Sequence, residues 1–162
     1  MQHTISILVV NRFGVLSRIS GLFSGRGFNI ESLNVAETSD PQISRMTIVT
    51  CGDDKKIEQI TKQLNKLIDI IKVTDLTNEK YVDRELVLVK MNAEPRVREE
   101  ILRIVSIFRA KIVDMCPTSY TIEMTGQEGK IQGFLDLIEP FGIQEIARSG
   151  RIAIARGVKS IN

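Results

Sequence analysis

Along this chain the hydrophobic period changes in a fixed order, and it does so twice. His3–Val10 is apolar and rich in Ile and Val, the composition of a buried strand. Asn11-Arg12-Phe13-Gly14 interrupts it as a turn. Val15, Leu16, Ile19, Leu22 and Phe23 then fall on one face of a helix. Gly25 and Gly27 close that helix, because glycine accepts the left-handed conformation that ends one. Ile30–Thr38 alternates as a strand, Ser39-Asp40-Pro41-Gln42 turns, and Ile43–Cys51 is a second strand. Asp53-Asp54 opens a helix whose dipole favours carboxylates there. Its apolar stripe is Ile57, Ile60, Leu64, Leu67 and Ile68, and Ile70–Leu76 is the closing strand. The order is β-α-β-β-α-β.

Thr77–Arg84 is polar and reads as a connection. The order then repeats. Glu85–Asn92 is a strand, and Pro95 suits a helix first turn. Val97, Ile101, Ile104, Val105 and Phe108 supply the stripe. Lys111–Cys116 and Tyr120–Thr125 flank a turn at 117–119. Ile131, Phe134, Leu135 and Ile138 mark a helix that Pro140 and Gly142 end, and Ile143–Ala147 and Arg151–Arg156 are short strands. The fold class is therefore α+β, two ferredoxin-like βαββαβ sandwiches in tandem. The expected domains are 1–77, a linker at 78–84, and 85–162. Units this small have limited cores and edges to protect, so pairing through sheet edges or helices is expected.

Composition narrows the chemistry. The chain has 162 residues, 43% hydrophobic and 26% charged, with a formal net charge of +2. That charge is too small to suggest nucleic acid. No apolar run is long enough to span a bilayer, and the N-terminal sequence lacks signal-peptide features. A cytoplasmic protein is the default. Cys51 and Cys116 are far apart, with no disulfide framework or metal spacing, and are expected to be small buried hydrophobes. The single histidine, His3, has no second histidine or activated cysteine to work with. TGQEGK (125–130) has the wrong glycine spacing for a nucleotide P-loop, and no Ser or Thr follows Lys130. Gly25-Arg26-Gly27 ends a helix rather than opening one, so it is no dinucleotide fingerprint. No catalytic, cofactor or metal site is expected.

One place carries positive chemistry. A helix starting near Gly14 offers unpaired amides that attract a carboxylate. No Asp or Glu occurs in residues 1–30, and no Ser or Thr caps the helix. Asn11 can cap the helix or turn, or hold a ligand's amino or carboxylate group. Asn29 carries the same two possibilities. Amides facing both ends of a zwitterion suit an amino acid, and Val15, Leu16 and Ile30 suit an aliphatic side chain.

The stretches GVLSRISGLFSGRGFNIESL (14–33) and SRMTIV (44–49), with LVLVKM, IFRAKIVDM and ARSGRIAIARG later on, resemble the regulatory small subunits of acetohydroxyacid (acetolactate) synthase, bacterial type. The resemblance implies that the first domain is an ACT domain, which senses amino acids as a homodimer. It implies an effector, valine or another branched-chain amino acid, at the interface: Asn11, Gly14, Val15 and Leu16 from one chain, Asn29 and Ile30 from the partner. Position 15 varies among small aliphatic residues in that family, so Val15 is expected to tune affinity. The implied partner is a large catalytic subunit carrying thiamine diphosphate, Mg²⁺ and FAD. This chain would activate it and confer feedback inhibition. A different class, an amino-acid-responsive gene regulator, draws only on the basic stretch Arg148–Lys159. Its Arg148–Arg156 part suits equally a contact with the large subunit or an edge strand protected by charge.

Overall fold

The computed structural model describes residues 1–157 and contains the expected elements twice over. In the first set, β1 (Gln2–Val10) leads into α1 (Val15–Ser24), β2 (Ile30–Glu37), β3 (Ile43–Cys51), α2 (Asp54–Leu64) and β4 (Ile70–Asp75). The second set is β5 (Tyr81–Asn92), α3 (Arg98–Phe108), β6 (Lys111–Met115), β7 (Ser119–Gly126), α4 (Glu128–Ile138) and β8 (Ile143–Arg148). A short strand, β9 (Ile152–Ala155), follows. The chain divides into two compact units. The first is Met1–Val82 together with the segment from Arg151, and the second is Asp83–Gly150.

Each unit is an antiparallel sheet with the same order. The first runs β2-β3-β1-β4 and the second β6-β7-β5-β8, with β9 pairing β5. Helices cover one face of each. In the first unit Ile5, Ile7 and Val9 of β1 meet Val15, Ile19 and Phe23 of α1 and Ile57, Ile60 and Leu64 of α2 in one buried cluster. In the second, Val87, Val89 and Met91 of β5 meet Ile101, Ile104 and Val105 of α3 and Ile131, Phe134, Leu135 and Ile138 of α4. Phe134 is fully buried, with its ring centroid 5.5 Å from that of Phe108.

Several local expectations are corrected. α2 ends at Leu64, so Ile68 lies beyond it and is 94% exposed rather than part of the stripe. Asp53 caps α2 by accepting from Lys55 N–H at 2.9 Å. Pro95 sits in a 3₁₀ turn, Pro95–Val97, and α3 starts only at Arg98. Both cysteines are exposed, not buried: Cys51 ends β3 and Cys116 lies in the β6–β7 turn. Of the polar stretch 78–84, residues 81–84 lie inside β5. The carboxylate of Asp83 is buried there and accepts from Gln127 Nε2 at 3.0 Å. The segment from Arg151 groups with the first unit rather than with 85–150, because Arg151 hydrogen-bonds to Ser32, Thr4 and Gln2. Arg148 stays in the second unit, where Glu85 receives two of its hydrogen bonds, at 2.7 and 2.9 Å. Those bonds raise the Arg148 pKa above its ordinary value. Lys159 lies outside the described residues.

Removing the largest fully buried side chain of the second unit leaves a hole that its neighbours cannot fill. Phe134→Ala is expected to cost about 3–5 kcal/mol, read as a lower urea midpoint.

Candidate effector site

The loop from β1 to α1 is held from three sides. Val10 N–H donates to Asp69 O at 2.8 Å and Asn11 N–H to Gln42 O at 2.7 Å. Arg18 also pairs with the Asp69 carboxylate. The Asn11 side chain does not cap the helix. Its Nδ2 donates to Glu37 Oε1 and to Pro41 O, each at 3.0 Å, and so braces the β2–β3 hairpin. Among the described residues Asn11 Oδ1 has no donor, which leaves it able to accept.

Gly14 occupies the cap position of α1 with φ 80° and ψ −5°, and no side chain caps the helix. A residue with a Cβ is strained in that conformation. The space around the Gly14 Cα is open. The first-turn amides of α1, those of Leu16 and Ser17 above all, therefore face outward with no side-chain acceptor. Val15 is 4% exposed, and its side chain belongs to the core, so it offers this loop only its backbone. Leu16 and Phe13 are exposed apolar side chains beside it. The expectation that no carboxylate stands near this loop holds only within residues 1–30. Glu37 arrives from β2 and puts a negative charge beside Asn11. The loop thus presents amide donors at Gly14, Leu16 and Ser17, and an acceptor set, Asn11 Oδ1 with Glu37, a few residues away.

Asn29 and Ile30 lie elsewhere. Gly27, at φ 72°, closes α1, and Phe28 N–H returns to Phe23 O at 3.0 Å. The carbonyl of Asn29 accepts from Thr50 Oγ1 at 2.6 Å, and its side chain is on the exposed surface. The Phe28 ring lies against Gly52, where any Cβ would collide with it. Asn29 precedes the first residue of β2, whereas Asn11 touches Glu37, the last. The seven steps from Ile30 to Glu37, at about 3.3 Å each, put the ends of β2 roughly 23 Å apart, and the two asparagines stand at those opposite ends within one chain. The structure thus brings Asn11, Gly14, Val15 and Leu16 together, and Asn29 with Ile30, but does not join the two groups.

The second unit acts as a built-in control. The bonds Val10 N to Asp69 O and Asn11 N to Gln42 O recur as Asn92 N to Gly142 O and Ala93 N to Thr118 O. The α1 closure, Phe28 N to Phe23 O, recurs as Ala110 N to Val105 O. The left-handed Gly27 has its counterpart in Arg109, at φ 56°. With no gap between these anchors, Asn11 corresponds to Ala93, Gly14 to Arg96, Val15 to Val97, Leu16 to Arg98, Asn29 to Lys111 and Ile30 to Ile112. The buried or half-buried aliphatic positions, Val15 and Ile30, are kept, and Asn11, Gly14, Asn29 and the exposed Leu16 are replaced. Even the brace to the hairpin survives by other means, because Arg98 Nη2 donates to Pro117 O where Asn11 donates to Pro41 O. A loop of this length therefore folds without an asparagine or a glycine.

Sequence reasoning also passed over a polar cluster beside Asn29. A register shift between Ile30 and Ser32 leaves Glu31 as the extra residue of a bulge. Such bulges re-aim side chains. Glu31 accepts from Gln2 Nε2 at 3.3 Å. Its carboxyl is held below the ordinary value by a hydrogen bond from the Cys51 thiol, then by the Gln2 amide, with the charges of Arg151 and the N-terminal ammonium assisting. Whatever stability these contacts give is present at neutral pH and is lost as pH falls through that lowered value. His3, on β1, is 2% exposed, with Nε2 3.2 Å from Asp54 Oδ1 and Nδ1 3.4 Å from Asp75 Oδ2. Among the described residues no group of three or more His, Cys, Asp or Glu is placed to hold a metal ion, and no helix is long and apolar enough to cross a membrane.

Comparison with known proteins adds an independent line. Residues 5–72 match the family model described as the AHAS small subunit-like ACT domain, and residues 84–157 match that of the small subunit of acetolactate synthase. A probable acetolactate synthase small subunit of Archaeoglobus fulgidus is 54% identical over 98% of this chain and 99% of its own. The acetolactate synthase small subunit of Aquifex aeolicus is 52% identical over 96% of this chain and 81% of its own. The crystal structure of the acetolactate synthase small subunit from Thermotoga maritima superposes with a TM-score of 0.89 at 41% identity, covering 97% of this chain and 98% of that one.

Since Ala93 fills the matching place in the second unit, Asn11→Ala is expected to fold normally. The loss of two exposed hydrogen bonds should cost no more than about 1 kcal/mol, measured as a thermal shift.

Proposed function

Because this chain belongs to the family of acetolactate synthase small subunits, we propose that its first unit is the feedback sensor of that enzyme, binding valine between two copies of the chain. The observation that carries this is the separation of Asn11 from Asn29. A free amino acid is several times shorter than the distance between them, so no single chain can offer it both asparagines. Antiparallel pairing of two β2 edges exchanges the ends of the strand. It lays the Glu37 end of one copy beside the Ile30 end of the other, so each Asn11 loop meets the partner's Asn29. In the described sheet β2 pairs only β3, which leaves such an edge open. Exposed Phe13, Leu16 and Val35 are apolar surface that a partner would cover.

In this arrangement the chemistry divides by charge. The α1 amides beyond Gly14 take the effector's carboxylate, helped by the positive end of the helix. Asn11 Oδ1 and Glu37 take its ammonium. The partner's Asn29 supplies a further amide, which can donate or accept. Leu16 and the partner's Ile30 border the isopropyl group. Val15 acts from within the core by setting the position of its own amide.

The catalytic partner is the large subunit, and thiamine diphosphate, Mg²⁺ and FAD belong to that chain. The thiamine diphosphate would supply the carbanion chemistry of carbon–carbon bond formation. This chain raises the rate and makes it sensitive to valine in branched-chain amino-acid synthesis. A ligand that spans an interface can favour one dimer arrangement over another, and feedback needs only a differential affinity, typically about 1–3 kcal/mol.

Gly14→Asp sets a carboxylate where the effector's own would lie. Calorimetry should show valine binding reduced at least tenfold, while reconstitution with the large subunit should show activation kept and valine inhibition lost. Inhibition at the unaltered valine concentration would refute the site.

A further inference from the structure

After Gly150, Arg151 returns to the face of the first unit's sheet opposite its helices, where Thr4, Ser6 and Val49 are buried. Its backbone N–H donates to Ser32 Oγ at 3.0 Å on β2. Its guanidinium donates to Thr4 Oγ1 at 2.8 Å and to Gln2 Oε1 at 3.2 Å on β1. Thr4, Val49 and Ser32 form one row across β1, β3 and β2. Arg151 therefore crosses three strands from a single row. The path is closed on both sides. Gly150, at φ 77°, turns the chain into it, and β9 leaves it with Ala153 only 3% exposed. Beyond β9, Arg156 N–H donates to Lys80 O at 2.8 Å.

The other arm of Gln2 points to the candidate site. While its Oε1 accepts from Arg151, its Nε2 donates to Glu31, the residue next to Ile30. The amide of Gln2 is thus a two-ended connector whose polarity is set by Arg151 on one side and Glu31 on the other. The bulge that aims Glu31 is a property of the fold, because β6 has the same register shift between Ile112 and Asp114. There the corresponding residue is Val113. The bulge presents a carboxylate only in the unit that also has the asparagine pair.

We propose that Arg151 is the coupling residue of the effector site, joining the Asn29–Ile30 half-site through Glu31 and Gln2 to the seating of β9. The proposal rests on the effector reading of Asn29 and Ile30. The links differ in strength, as a coupler requires. Arg151 is anchored to two hydroxyls independently of Gln2, whereas the Gln2–Glu31 contact is exposed and long. Displacing the backbone at Asn29–Ile30 therefore breaks or makes the Gln2–Glu31 link first and changes what Arg151 is held by. Arg151 never touches the effector. It is a positioning residue, and its loss separates binding from response.

The test uses the full chain, alone and reconstituted with its large subunit, in Gln2→Leu, Arg151→Gln and Arg151→Lys forms. Valine affinity is read by calorimetry on the chain alone, and the half-inhibiting valine concentration on the reconstituted enzyme. Gln2→Leu and Arg151→Gln should leave affinity within about twofold and raise the half-inhibiting concentration about fivefold or more, a typical coupling factor. Arg151→Lys, which keeps one charged donor, should restore part of the response. If half-inhibition follows affinity unchanged in both breaking variants, the relay is wrong even though the site stands. If the unaltered chain binds no valine, the site and the relay fall together. Should Arg151→Gln not fold, Gln2→Leu alone decides, since it leaves the Thr4 and Ser32 anchors intact.

Discussion

A β-strand has a fixed length per residue, and in this chain that length separates two groups that sequence reasoning puts in one site. β2 runs from Ile30 to Glu37 with its outer edge unpaired in the described sheet. Shortening it would bring Asn11 and Asn29 closer but would remove the edge that a second chain can pair with. In the proposed dimer the strand acts as a spacer and a docking rail at once. The two loops can be rigid, each tied by backbone hydrogen bonds to its own sheet, and the adjustable element is left to be the junction between copies. Preorganised half-sites of this kind lower the ordering cost of binding.

The repeat within the chain separates what the fold needs from what a ligand needs. Val15 and Val97, and Ile30 and Ile112, hold the same places because both units must fill the space between helix and sheet. Asn11, Gly14 and Asn29 have no like counterpart. Arg98 takes over the hairpin brace at the cost of placing a guanidinium where the first unit keeps a leucine. A charged, crowded loop in one unit and a bare loop with open amides in the other are built on the same backbone path. Stability alone does not distinguish them.

Much of this was legible in the sequence. Both βαββαβ orders and almost every strand could be read from hydrophobic period, since an apolar stripe records which side of an element is buried. The uncapped start of α1 at Gly14 was legible because a helix start and a missing Ser or Thr cap are local features. What escaped reading depends on chain neighbours far apart in sequence. Glu37 reaches Asn11 from the other end of a hairpin. Arg151 binds residues 2, 4 and 32 across the whole intervening unit. The exposure of Leu16 and of Ile68 follows from where a helix begins and stops, which periodicity places only to within a turn. The exposure of Cys51 goes with its place as the last residue of β3, and the bulge that aims Glu31 is announced by no local pattern.

The return of Arg151 has a consequence for how the protein is made. The first unit is discontinuous: its β9 segment is translated after all of Asp83–Gly150. At about 5–20 residues per second, roughly 70 residues of delay leave the first unit without that segment for several seconds of synthesis. Through that interval the face carrying Thr4 and Ser32 is uncovered by Arg151, and the second unit has time to collapse on its own core. A nascent chain of this design completes its older half last.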